Sequence, residues 1–294
     1  GRVVFIAPIS ASDNSTDALN YELSDLQSSD EGSFSDLSDL IQNTPKGEIL
    51  ILTKDYAFNN NSDFRHKEGI VLDFITIDGA GHSIDASAQA RIFNTFNNVT
   101  LKNLKLVNGF GDVGGAIYSD TSLTCDNIIF ENNSAKIIGG AIYGYYFSLE
   151  NCTFNANHAA NGSSIYLNNK VGMIDIPDTL INNCIFKNMN SNAIFINGTP
   201  KFTRISNSIF EDITSQLGAA LFLQNSETLN ISNTKFKNLK SRNGAAILLF
   251  STSATVNESD FINCYSSNNG GAIRIDAYGL NNYIESMGSS LEVY

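Results

Sequence analysis

The sequence predicts an all-β parallel β-helix, a solenoid of rungs about 25 residues long, from two ladders of large apolar residues and one column of asparagine. The first ladder is Leu106, Phe130, Phe154, Phe186, Phe210, Phe236 and Phe261, with successive spacings of 24, 24, 32, 24, 26 and 25 residues. The second follows about a dozen positions later at Ile117, Ile142, Ile165, Ile194, Leu221, Ile247 and Ile273. Two ladders in step at one period mean stacked repeats rather than a single globular core. Three residues before each first anchor stand Asn103, Asn127, Asn151, Asn183, Asn207 and Asn233, with Glu258 closing the column. Asparagine tolerates the left-handed backbone region, so this column predicts a recurring tight corner.

Apolar columns on either side of the corner complete the rung. Five residues before the anchor are Leu101, Cys125, Leu149, Ile181, Ile205, Ile231 and Val256, and two before it are Leu104, Ile128, Cys152, Cys184, Ser208, Thr234 and Ser259. Stacked about 4.8 Å apart, such strands pair edge to edge and bury each column along the axis. Cys125, Cys152 and Cys184 therefore read as buried thiols acting as small core residues, and Cys264 takes the slot filled by Met189, Ile213 and Leu239. A ladder spacing of about 4.8 Å is wide for a disulfide between Cys152 and Cys184.

In chain order, residues 1–45 hold eight acids and one base, Arg2, giving −7 of the net −12 of this 294-residue chain. Val3–Ala11 reads as a signal remnant or an N-terminal strand, and residues 12–32 as an acidic Ser/Asp-rich linker. Phe34, Leu37, Leu40 and Ile41 share one face of a helix starting near Ser33, which would cover the first rung. Strand-like runs follow at Glu48–Thr53 and Ile70–Ile77, ahead of the turn Asp78–Gly81. The solenoid thus occupies residues 46–294, with the pattern restarting near Leu280–Ile284, so it either continues or is capped beyond this chain. Outside the leader the chain is mildly acidic, which argues against nucleic-acid binding. Lys235, Lys237, Lys240 and Arg242 cluster on one rung and read as a solvated edge. No apolar run is long enough to span a membrane.

Candidate chemistry is sparse. Lyases and hydrolases of this architecture gather acids on the outer faces of adjacent rungs. The outward columns Lys105, Ile129, Thr153, Ile185, Ile209, Lys235, Asp260 and Val107, Glu131, Asn155, Lys187, Glu211, Lys237, Ile262 do not, so no catalytic residue is assigned. Asp78, Asp85 and His82 gather at a turn that Gly79 and Gly81 already explain; calcium is the one cofactor they suggest, and turn chemistry is the preferred reading. Sequons at Asn60, Asn98, Asn132, Asn161, Asn197, Asn230 and Asn257 are candidate glycosylation sites; that at Asn14 lies in the leader, and Asn151 is excluded as a corner residue.

The stronger signal is an aromatic stripe, Tyr118, Tyr143, Tyr166, Phe195 and Phe222, one residue after each second anchor. If the anchors point inward, these rings point outward, where they either meet a sugar or extended partner or are covered by the chain itself. The 32-residue spacing between Phe154 and Phe186 places an insertion at Asn168–Pro177, with Met173 and Ile174 as further contact candidates.

The Gly-Gly-Ala-Ile runs at Gly114–Ile117, Gly139–Ile142 and Gly270–Ile273, with Phe-x-x-Asn at Phe130–Asn133 and Phe154–Asn157, resemble the repeats of chlamydial polymorphic outer-membrane proteins. Ile75–Ala86 followed by Asn98–Gly109 resembles the adhesin-like surface proteins of methanogenic archaea. The resemblance covers roughly Gly47–Ile284 and implies a right-handed β-helix, secretion, and surface attachment to a glycan or protein of another cell. The expectation is a non-catalytic adhesin; the alternatives are a pectin-lyase-like carbohydrate-active enzyme and a stalk presenting another module.

Overall fold

The computed structural model describes residues 31–168, 177–198, 202–224, 228–250 and 252–276. The leader, the contact candidates Met173 and Ile174, and the restart near Leu280–Ile284 lie outside the described residues. Within them the chain is a right-handed parallel β-helix of about nine rungs. One sheet has nine parallel strands, from Ile70–Leu72 to Ile273–Asp276; a second has eighteen and wraps the asparagine corner; a third pairs only Phe110–Val113 with Ser134–Ile138.

The columns stack as the sequence predicts. Phe130 pairs in register with Leu106 and Phe154, Phe186 with Phe154 and Phe210, and Phe236 with Phe210 and Phe261. Their rings lie nearly parallel, 3–7° apart, with centroids 4.6–5.2 Å apart. That is the strand spacing itself, so the ring stack follows from the backbone ladder. Every corner residue from Asn103 to Asn233, and Glu258, has φ between 46° and 57°. The asparagine amides also bond rung to rung: Asn127 Nδ2 donates to Asn103 Oδ1 at 2.9 Å, and Asn233 Nδ2 to Asn207 Oδ1 at 2.7 Å.

Two rungs precede those visible in the sequence columns. Tyr56 and Ile84 stack below Leu106, Leu50 and Ile77 below Leu101, and Ile70 and Phe93 below Ile117. The helix Phe34–Asn43 packs against this first rung, its N-terminus closed by a reciprocal Ser33–Asp36 capping box. Phe34, Leu37 and Ile41 are buried, but Leu40, expected on the same face, is 38 % exposed, and Ser38 is buried instead. The apolar face is narrower than the sequence implied.

Asp63 does for this helix what no residue of its own can. Fully buried, it accepts the backbone N–H groups of Phe34 (3.0 Å), Ser35 (2.9 Å) and Asn59 (2.7 Å). Burial pushes its pKa up, but these bonds outweigh that and hold it below the ordinary aspartate value.

The four cysteines are free thiols, with Cys125, Cys152 and Cys184 buried. Cys152 and Cys184 Sγ each approach the carbonyl two residues back at 3.2 Å, the same carbonyl that Ser208 and Thr234 hydroxyls donate to at 2.7 and 2.9 Å. Thiol and hydroxyl thus do one job in one column, supporting the carbonyl at the corner.

Candidate contact surface on the nine-stranded sheet

The outer face of the nine-stranded sheet carries the aromatic stripe in strict register, Tyr118 beside Tyr143, then Tyr166, Phe195, Phe222 and Leu248. These side chains form an apolar cluster separate from the core, packed against Val113, Ile138, Leu217 and Phe250. The sequence left two readings of these rings, a contact with a partner and a cover from the chain itself, and their burial matches the second. Tyr143, Tyr166, Phe195 and Phe222 are only 5–8 % exposed, and Tyr118 is half-buried. The reason is the period: rings on adjacent strands stack on one another, at 5.2 Å for Tyr118–Tyr143, 5.8 Å for Tyr143–Tyr166 and 4.9 Å for Tyr166–Phe195. Ring faces that stack along the axis are not free to stack on a sugar.

A row of amides borders the stripe, and the sequence reading missed it. Asn168, Asn197 and Gln224 stand in register two residues beyond the rings. Asn168 Nδ2 donates to Tyr143 Oη at 3.0 Å, and Gln224 Nε2 to Asn197 Oδ1 at 2.8 Å. Burial raises the Tyr166 hydroxyl, while its bond with Asn197 works the other way. Tyr145 also joins, its ring edge-on to Tyr143 at 6.1 Å. Its hydroxyl is raised by burial, then by the neighbouring Tyr143 and Tyr118 hydroxyls. The signal was present in sequence as the polar residue after each buried Leu167, Ile196 and Leu223.

Arg91 closes one end of the stripe. Its guanidinium lies 5.6 Å from the Tyr118 ring centroid and donates to the carbonyls of Gly114 (3.0 Å), Glu68 (2.7 Å) and Val113 (3.1 Å). Burial pulls its pKa down, partly offset by Glu68, Tyr118 and Asp112. Arg274 takes the ring position at the other end, in register with Leu248 and paired with Asp276 at 2.8 Å.

Acids do meet on adjacent rungs, in a column the sequence reading did not test. Asp126 and Glu150 are register partners outside the corner. Both are engaged by asparagine amides of the next rungs: Asp126 accepts from the corner Asn151 at 2.9 Å, and Glu150 accepts from its register partner Asn182 on both oxygens at 2.9 Å. Asp78 and Asp85 accept the backbone N–H two residues on, from Ala80 at 2.9 Å and Ser87 at 2.6 Å, while His82 turns to Asp55 at 3.1 Å. Among the described residues no three His, Cys, Asp or Glu side chains gather in a way that holds a metal ion. Of the sequons, Asn60, Asn98, Asn132 and Asn257 are exposed, and Asn161, Asn197 and Asn230 half-buried.

Residues 127–145 match the repeat of Chlamydia polymorphic membrane proteins. The segment runs from the corner asparagine through Phe130, Asn133 and Gly139–Ile142 to the stripe residue Tyr143 and its neighbour Tyr145. A search of curated proteins returns no match to the chain. Among the described residues no helix is long and apolar enough to cross a membrane. The repeat match and the solenoid agree on one point, a β-helical repeat chain.

Proposed function

We propose that this chain is a secreted or cell-surface adhesin that binds a glycan or protein of another cell without catalysis. The observation that carries the reading is the outer face of the nine-stranded sheet, where a row of hydroxyl-bearing ring edges runs beside a row of amides over successive rungs. Tyr118, Tyr143 and Tyr166 supply hydroxyls, Asn168, Asn197 and Gln224 supply amides, and Phe195 and Phe222 supply apolar edges. Repetition at the strand spacing suits an extended partner that makes the same weak contact many times. Met173 and Ile174, outside the described residues, are proposed as further contact residues. The match to a repeat of polymorphic membrane proteins supports a surface setting.

Because the rings are packed, removing them would confound folding with binding. The test uses Asn197→Ala with Gln224→Ala, side chains at the border of the cluster, in a glycan array and whole-cell pull-down run beside polysaccharide cleavage. Binding that the double variant loses while its melting temperature holds, with no sugar released by the native chain, supports the reading. Released sugar, or native binding unchanged in the variant, overturns it.

A further inference from the structure

The strand Lys235–Asn243 concentrates positive charge in an acidic protein. The rung segment Thr228–Phe250 contains four cations, Lys235, Lys237, Lys240 and Arg242, and no acid. All four are exposed, while Phe236, Leu239 and Ser241 between them are buried. Elsewhere Lys105, Lys136 and Arg204 reach Glu131, Asp112 and Asp178 at 2.6, 2.8 and 3.0 Å, yet among the described residues none of these four forms an ion pair. Unpaired cations on a single strand leave a local positive field that an anion from outside can neutralise.

The register narrows the place. Lys235 stands beside Asp260 and Lys237 beside Glu211, which offset part of the field at that end. Past the corner at Asn238, whose φ is 55°, the neighbours of Lys240 are Thr214 and Tyr265, with no acid in register. Tyr265, on the last described rung, is 63 % exposed among the described residues. Cations beside an uncovered aromatic ring are the pairing that takes an anionic sugar: the charged groups meet its sulfate or carboxylate and the ring meets the apolar face of the pyranose. The net charge of −12 and the confinement of the cations to one rung disfavour a nucleic-acid duplex, which needs positive charge along its length.

We propose that Lys240 and Arg242, flanked by Lys237 and Tyr265, form a binding surface for an anionic polysaccharide. This surface belongs to the eighteen-stranded sheet and is independent of the outer face of the nine-stranded one, so either can fail alone.

The experiment immobilises heparin as a sulfated polymer, polygalacturonate as a carboxylated one, dextran as a neutral control, and duplex DNA and inorganic polyphosphate as sugar-independent polyanions. The native chain at about 0.05 M salt binds heparin or polygalacturonate and not dextran, and raising salt to about 0.5 M abolishes this. Lys240→Ala with Arg242→Ala weakens it about tenfold with an unchanged circular dichroism spectrum. Tyr265→Ala weakens binding to the polysaccharide and leaves residual polyphosphate binding unchanged. No polysaccharide binding, native binding by the Lys240/Arg242 variant, or equal affinity for DNA, polyphosphate and polysaccharide each overturns the proposal.

Discussion

The early rungs and the late rungs fill the same core slot with opposite chemistry. Three residues past the first anchor stand Asn133 and Asn157 in the early rungs, 0 and 1 % exposed, and Met189, Ile213 and Leu239 in the later ones, equally buried. The strands explain the difference. Ser122–Glu131 and Thr153–Asn155 end one residue past their anchors, leaving backbone groups without a ladder. Asn157 Oδ1 accepts the N–H of Asn133 at 2.9 Å and its Nδ2 donates to the Phe130 carbonyl at 3.0 Å; Asn133 does the same for Gly109 at 2.7 Å and Leu106 at 3.0 Å. Ile185–Met189, Ile209–Thr214 and Lys235–Asn243 run on through that corner, with Met189, Ile213 and Leu239 in register. A continuous ladder satisfies its own backbone, so the slot goes to an apolar side chain. Where the ladder breaks after Phe130 and Phe154, the Asn133 and Asn157 amides replace it.

Exchanging the two chemistries tests this. Leu239→Asn should cost most, about 4 kcal/mol in urea unfolding, because it removes a buried apolar side chain and leaves an amide with no backbone to serve. Asn157→Leu should cost about 2–3 kcal/mol although it adds apolar volume, since it orphans the Asn133 N–H and the Phe130 carbonyl. A late-rung loss well below the early-rung one would break the comparison.

The glycine pair sharpens it. A Cβ on Gly140 would collide with the Ser163 and His158 carbonyl oxygens, whereas at Gly271, the same motif position in the last described rung, no atom of the described residues lies within 4 Å. Gly140→Ala should lower stability by about 2 kcal/mol and Gly271→Ala by less than about 0.5 kcal/mol. Later rungs carry Ala219 and Ala245 at this position. A further effect concerns the first rung, where Asp63 caps a helix as the asparagines cap broken strands. Its folded pKa lies below the unfolded value, so its contribution is complete above about pH 4 and is lost as the pH falls through the folded value. Asp63→Asn should remove about 1–2 kcal/mol at neutral pH and flatten the acid limb of a stability-against-pH curve.

The solenoid was legible because a residue that must face the core returns once per rung: Phe130 to Phe261 and Asn103 to Asn233 keep their columns through the insertion. The first two rungs were placed within the solenoid, but their anchors were not identified, because Tyr56, Ile84 and Phe93 stand without the asparagine corner that marks later copies. The stripe residues were legible as outward-pointing. Their burial was not, since it depends on rings at the strand spacing packing on one another, face to face from Tyr118 to Phe195 and edge-on at Phe222, with Val113, Ile138 and Leu217 alongside. The role of Asn133 was also hidden: a sequence motif says which residue recurs, not which backbone group it serves. The amide row beside Tyr143 and the Asp126–Glu150 pair stand three residues past the second anchor and four before the first, columns that were present in the sequence and went uncounted.

The most direct test of the functional reading is equilibrium binding of the purified chain to intact cells and to a panel of polysaccharides, with polymer length measured in the same samples. Saturable binding with polymer length unchanged is the predicted result. Shortened chains or new sugar ends would mean that Asp126, Glu150 or another carboxylate does chemistry, and would contradict a non-catalytic adhesin.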